Sequence, residues 1–222
     1  MCGAFGIANP ENIIERFDVE PFGSWGASYN IRPGQPAPIV TKNSPLTVHL
    51  ATFGFIPAWS KEAKPKLMPI NAKSETVATS GFFKAVFLHT RCLIPAEFWY
   101  EWAKINTAQG LMKQPYAFRV KDQKMFAFAG IYSEREGAEK EKYYNFAIIT
   151  TRPNKTAAKV HDRMPVVVHK NEESEWLNSE TDTKKLLQIL RPYEDDEMET
   201  WKVGKEVGNS RNNGSQLIKV LK

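Results

Sequence analysis

At 222 residues, 42% hydrophobic and 12% aromatic, the chain can bury a core of its own, which excludes intrinsic disorder and collagen-like repeats. Thirty Lys and Arg against 25 Asp and Glu leave a formal net charge of +5, compatible with a polyanionic partner but not diagnostic of one. No apolar run reaches the ~18–20 residues of a membrane-spanning helix, and the first residues lack the basic segment and long apolar stretch of a secretory signal, so a soluble, cytoplasmic protein is expected.

In chain order, the apolar Ala4-Phe5-Gly6-Ile7 argues for an N-terminus tied into a sheet. Asn9 to Phe17 predicts a short helix, with Asn9 as N-cap and Pro10 at the first position. Turn residues then recur at Arg32-Pro33-Gly34, Pro36, Pro38, Pro57, Pro65, Pro69 and Pro95. The β-branched and aromatic runs between and beyond them predict strands at 38–40, 46–51, 91–94, 116–120, 125–132, 144–149 and 166–168. Lys121-Asp122-Gln123-Lys124 predicts a hairpin turn between two of these, and the charged stretch 133–142 a solvated loop. Thr156 to Val160 predicts one helical turn. Helices are predicted over 171–177 and 182–190, the second capped by Asp182 and stopped at Arg191-Pro192, and a last strand over 217–220. No repeat or linker-like composition divides the chain. The expected fold is α+β: one domain over residues 1–222, mainly antiparallel β-sheet, curved and barrel-like, with short peripheral helices.

Two cysteines, Cys2 and Cys92, and four scattered histidines supply neither a disulfide framework nor a Cys/His zinc site, so no metal or other cofactor is expected. Cys2 is the most informative position. Removal of Met1 exposes an α-amine titrating near ~7.7–8.0 beside a thiol near ~8.5, so both nucleophilic forms are appreciable around neutral pH. Such a pair attacks a carbonyl twice, closing a five-membered thiazolidine ring. Cys92 lies in an apolar run and behaves as a small hydrophobe.

Met-Cys-Gly followed by an apolar segment also opens class II glutamine amidotransferases, but their interior Asn-Gly oxyanion segment has no counterpart here except Asn213-Gly214, out of order near the C-terminus. An N-terminal-cysteine amidohydrolase or peptidase is therefore the alternative, and a non-covalent single-stranded DNA-binding module is a third. A second family fits nearly the whole chain, through Asn30-Ile31-Arg32-Pro33-Gly34-Gln35, Phe53-Gly54-Phe55-Ile56-Pro57-Ala58-Trp59, Asn71-Ala72-Lys73-Ser74-Glu75-Thr76 and Arg91-Cys92-Leu93-Ile94-Pro95-Ala96. Trp99-Tyr100-Glu101-Trp102, Thr150-Thr151-Arg152-Pro153-Asn154 and His161-Asp162-Arg163-Met164-Pro165 follow in the expected order. From Cys2 to about Asn209 the sequence resembles the SRAP (SOS response associated peptidase-like) family of abasic-site processing proteins.

The resemblance implies a monomer, nucleoid-associated if bacterial, that binds single-stranded DNA at an abasic site and captures the ring-opened deoxyribose as a thiazolidine on Cys2. It implies catalytic roles for Cys2, Asn71, Glu101 and His161, and DNA contacts from Gly3, Pro33, Trp59, Lys73, Thr151 and Arg163. The residue types agree. Glu101 sits among aromatic residues that would raise a carboxyl pKa towards neutrality, which suits ring opening and proton transfer, or else is an exposed strand glutamate flanked by core aromatics. His161, with an ordinary pKa near ~6.5, is the expected general acid towards the sugar oxygen. Asn71 offers an uncharged donor and acceptor for the amine or a sugar hydroxyl, or else serves as a turn residue after Pro69. Lys73 and Arg163 are the phosphate candidates, and Trp59 and Pro33 either stack against bases or pack. Four departures bear on affinity more than on chemistry: Ala4 where many members have arginine, Lys73 for arginine, Phe53 for tryptophan, and Glu97-Phe98 where a glycine usually precedes the aromatics.

Overall fold

Most of the apolar runs become strands, and five strands close a barrel. The computed structural model describes residues 2–42, 46–62, 65–108, 110–137 and 139–221. Its strands are β1 (Phe5–Ile7), β2 (Ser28–Ile31), β3 (Pro36–Thr41), β4 (Thr47–Phe53), β5 (Asn71–Lys73), β6 (Arg91–Ala96) and β7 (Phe98–Thr107). They continue with β8 (Gly110–Val120), β9 (Phe126–Glu136), β10 (Lys142–Thr151), β11 (Met164–Pro165), β12 (Val167–Val168) and β13 (Met198–Lys202). Short helices decorate them: α1 (Asn12–Phe17), α2 (Lys84–His89), α3 (Lys155–Ala158), α4 (Glu173–Leu177) and α5 (Thr183–Ile189).

The ring runs β10–β4–β3–β6–β9 and back to β10, antiparallel throughout except for the parallel β4–β10 pair. Closure satisfies backbone groups that an open edge would leave unpaired. Phe53 stacks on Phe146 with centroids 5.1 Å apart, and Phe5 meets Phe53 and Phe128 edge-on. Gly130 is opposite Cys92, and a Cβ there would lie 2.7 Å from the Cys92 Sγ, so this crossing tolerates no side chain. The α+β barrel-like expectation holds.

A five-stranded sheet, ordered β13–β8–β7–β1–β2, lies against the barrel. Alternation along β7 divides its side chains between two cores. Trp99 faces the barrel side and stacks on Phe118, whereas Phe98 and Tyr100 join Ala4, Ala117, Val203, Val207 and Leu217 in a smaller core on the other face. Glu101 shares the parity of Trp99. Period two therefore sends a carboxylate inward at the end of an aromatic row, and it is 3% exposed.

Several local expectations change. The first helix begins at Asn12, because the Asn9 amide and side chain bind the Glu97 carboxylate at 2.7 and 3.0 Å instead of capping. Residues 116–120 and 125–132 do not form a hairpin: β8 pairs with β7 and β13, β9 with β6, β10 and β12, and 121–124 is a corner between sheets. Lys121 is held there by the Glu197 and Asp196 carbonyls. Only 137–141 of the expected 133–142 loop lies between strands, since Ser133 to Glu136 completes β9 opposite Lys142 to Asn145. The last expected strand is a 3-10 turn at Ser215–Ile218 that buries Leu217. The helical expectations over 156–160, 171–177 and 182–190 are met by α3, by a 3-10 turn leading into α4, and by α5, whose N-cap Asp182 accepts the Lys185 amide at 3.1 Å.

Candidate active site

Four elements deliver Cys2, Asn71, Glu101 and His161 to one end of the barrel. Cys2 precedes β1, which is pinned between β2 and β7, with the Tyr100 amide donating to the Ala4 carbonyl at 2.9 Å. Asn71 opens β5, parallel to β10 and opposite Ile148. Its Nδ2 donates to the Cys2 carbonyl at 3.1 Å, while its buried Oδ1 has no hydrogen-bond donor among the described residues. The turn-residue alternative for Asn71 therefore gives way to a strand position with the amide aimed at Cys2. His161 follows α3, a single turn capped by the Asn154 side chain, and its amide donates to the Ala157 carbonyl at 2.9 Å. The His161 Nε2 lies 3.9 Å from the Glu101 Oε2.

The electrostatics separate these groups. Burial raises the Glu101 carboxyl to about 7, so both protonation states are populated near neutral pH. Burial pushes the His161 imidazole below its ordinary value, leaving it largely uncharged there. His161 Nδ1 lies 3.0 Å from both the Arg163 amide and the Asp162 carboxylate, while Nε2 faces Glu101. Cys2 is fully buried; burial first, then the Glu101 charge, raises its thiol well above the ordinary range. Its resting form is therefore the thiol.

The expected DNA contacts fall into two sets. Gly3 adjoins Cys2, Lys73 ends β5 exposed to solvent, and Thr151 ends β10, buried opposite Met164, so all three sit at the same barrel end. Arg163 is there too, but its fork is engaged: Nη1 and Nη2 bind the Glu75 carboxylate at 2.6 and 2.8 Å, and Nη2 also reaches the Thr150 carbonyl. That guanidinium holds the half-exposed Glu75 carboxyl down at about 2. Pro33 is exposed in the turn before β3. Trp59 is 77% exposed and meets Phe82 edge-on, so its packing alternative is not the observed one. Among the described residues, no hydrogen bond or ring contact ties Pro33 or Trp59 to the four-residue cluster.

Glu101 and His161 also line an open groove of about 530 Å³ that the sequence did not disclose. Its walls include Arg32, Trp102, Lys104, Lys113 and Lys205. The Arg32 guanidinium lies 5.1 Å over the Trp102 ring and donates to Asn30 Oδ1 and the Val207 carbonyl. The alternation of Trp102 and Lys104 along β7 was the available signal, but the polar first half of β8 hid the strand that completes the wall. Among the described residues, His169, Glu194 and Glu197 have cation-binding proximity; His169 stacks on Tyr193, both carboxylates are exposed, and none belongs to the cluster.

The fold is a closed barrel flanked by a second sheet, with Cys2 buried beside Asn71, Glu101 and His161. The chain belongs to the SOS response associated peptidase (SRAP) family, whose model matches residues 1–210. It is 36% identical over 224 residues to the abasic site processing protein YoqW of Bacillus subtilis, covering 98% of this chain and 99% of that one. It is 31% identical over 234 residues to the abasic site processing protein YedK of Escherichia coli, with 98% and 99% covered. The abasic site processing protein HMCES of Xenopus tropicalis shares 28% identity over 87% of this chain and 66% of its own. A crystal structure of a protein from Bacteroides thetaiotaomicron has the same fold, with TM-score 0.90 at 22% identity over the full length of both. A phage-related protein from Bordetella bronchiseptica gives 0.71 at 28% identity, covering 91% and 94%. Among the described residues, no helix is long and apolar enough to cross a membrane.

Proposed function

We propose that this protein processes abasic sites in single-stranded DNA by covalent capture on Cys2, acting as a one-domain monomer. The observation that carries the proposal is the convergence of Cys2, Asn71, Glu101 and His161 from four separate elements. An abasic sugar is a closed hemiacetal in equilibrium with an aldehyde, so its capture begins with ring opening. His161 Nε2–H donates to the ring oxygen as the anomeric C–O bond breaks, and Glu101, 3.9 Å away and near its own midpoint, returns a proton to His161. The anomeric hydroxyl gives up its proton to water as the aldehyde forms.

The Cys2 amine, freed by loss of Met1, adds to the aldehyde carbon, and loss of water leaves an imine. The thiol then adds across the C=N bond: sulfur joins carbon, nitrogen regains a hydrogen, and the thiol proton passes through Glu101. Asn71 supports this sequence by holding the Cys2 carbonyl while its free Oδ1 accepts from the amine or a sugar hydroxyl. No redox partner is needed, because aldehyde, imine and thiazolidine carbons share one oxidation level.

The test is the intact mass of the mature protein, lacking Met1, with and without an abasic single-stranded oligonucleotide. The expected mass is the sum of both partners less one water, stable to heat without added reductant. Ammonia release from glutamine, with no adduct on DNA, would replace this reading with an amidohydrolase.

A further inference from the structure

The β7–β8 hairpin carries an arrangement that fold stability alone disfavours. Lys104 on β7 is directly opposite Lys113 on β8 in an antiparallel register. Like charges facing each other across two strands are destabilising, whereas opposite charges support the pair. At the other edge of the same sheet the usual solution is present: Arg119 on β8 faces Glu199 on β13 and binds it at 2.8 Å. Lys142 and Lys185 are likewise paired with Glu134 and Glu175. Among the described residues no carboxylate forms an ion pair with Lys104, Lys113 or Lys205, all three exposed and all lining the groove of Glu101 and His161. Arg32 adds a fourth positive charge to the same walls, while Glu101 is the one carboxylate of the lining.

We propose that Lys104, Lys113 and Lys205 form a phosphate rail that binds the backbone of the nucleic-acid strand on one side of the abasic nucleotide. The proposal rests on the reading of the cluster as an abasic-site centre, and adds the path the strand takes away from it. The groove suits a polyanionic chain better than a small ligand: it is open along its length, its cations come from three separate segments, and an aromatic face, Trp102, lies among them. Lys104 lines this groove and a neighbouring one together with His161, which places the rail's near end beside the cluster. The repulsion between Lys104 and Lys113 in the DNA-free protein is relieved when a phosphate comes between them, so part of the binding energy is stored in the hairpin register.

The test uses full-length protein and labelled single-stranded oligonucleotides carrying the abasic site at the 5′ end, the middle or the 3′ end. For Lys104→Gln/Lys113→Gln, loss of two phosphate contacts should reduce the slope of log K against log salt by about 1.4, at ~0.7 per contact on single strands. That loss is expected for the central lesion and for only one of the two terminal ones. Lys104→Glu should bind DNA more weakly and yet melt at the same temperature or higher, because it creates an opposite-charge pair with Lys113. Unchanged slopes in the double variant, or equal losses for both terminal lesions, would overturn the rail. Failure of wild-type protein to crosslink would instead strike the abasic-site reading, which the salt slopes do not measure.

Discussion

Cys2 and Cys92 are both fully buried free thiols with pKa values pushed well up, yet their surroundings have nothing else in common. Around Cys92 burial acts alone. Its carbonyl takes the Trp176 indole N–H at 2.9 Å, its strand partner is Gly130, and its sulfur rests in the barrel core. Around Cys2 the Glu101 charge and the Ala4 amide act on the sulfur, while Asn71 holds the carbonyl. Burial and a raised pKa therefore do not by themselves distinguish Cys2, the proposed nucleophile, from Cys92. The polar groups delivered beside Cys2 do.

The sharpest way to break that comparison is to exchange the thiols. Cys2→Ser should abolish the heat-stable adduct on a denaturing gel, whereas Cys92→Ser should retain it at the cost of some stability. A stable adduct from the Cys2 variant would remove the distinction altogether. Next comes the carboxyl that only Cys2 has. Glu101→Gln keeps the shape but cannot cycle a proton, and should slow capture by ~10²–10⁴-fold without unfolding, as checked by circular dichroism.

Its pH profile sharpens the point. With the carboxyl near 7, rising pH ionises the acid that feeds ring opening, so the wild-type rate should fall on the alkaline side. The residual rate of Glu101→Gln should climb with pH instead, as the amine loses its proton near ~7.7–8.0. Identical profiles would show that Glu101 handles no proton.

The smallest effect belongs to the support behind His161. Glu75→Ala releases the Arg163 fork, loosening the backbone amide that fixes the imidazole. Capture at saturating DNA should slow by something on the order of tenfold, the consequence of a misplaced proton donor. Affinity for intact single strands should hold or rise, since the freed guanidinium can take a phosphate. A fall in affinity with an unchanged rate would place Glu75 in DNA binding.

What the sequence disclosed follows the same division. Cys2 stood out because position two and chemistry coincide. Glu101 stood out because a carboxylate between Phe98-Trp99-Tyr100 and Trp102 must either face water or be buried, and in the structure strand parity buries it. Strands with apolar cores were legible from their runs. Pairing was not: 116–120 and 125–132 alternate like a hairpin, but local alternation does not say which sheet claims each strand, and β7 and β13 had already claimed β8. The clamp of Glu75 on Arg163 joins residues 88 apart, and the facing lysines depend on the register of a polar hairpin arm; neither is a property of any sequence window.

Strand β10 acts as a ruler for the whole centre. Its lower part closes the barrel by pairing Phe146 with Phe53 and Tyr132, and beyond that it positions Asn71 opposite Ile148 and Met164 opposite Thr151. A slip of one residue along it would turn every side chain to the opposite face, moving the Asn71 amide and the His161 loop together. The spacing of the clustered side chains is thus inherited from the barrel's registration, not negotiated loop by loop. The 137–141 connection lies at the opposite end of the same strand, so its length can drift while the ruler keeps its marks.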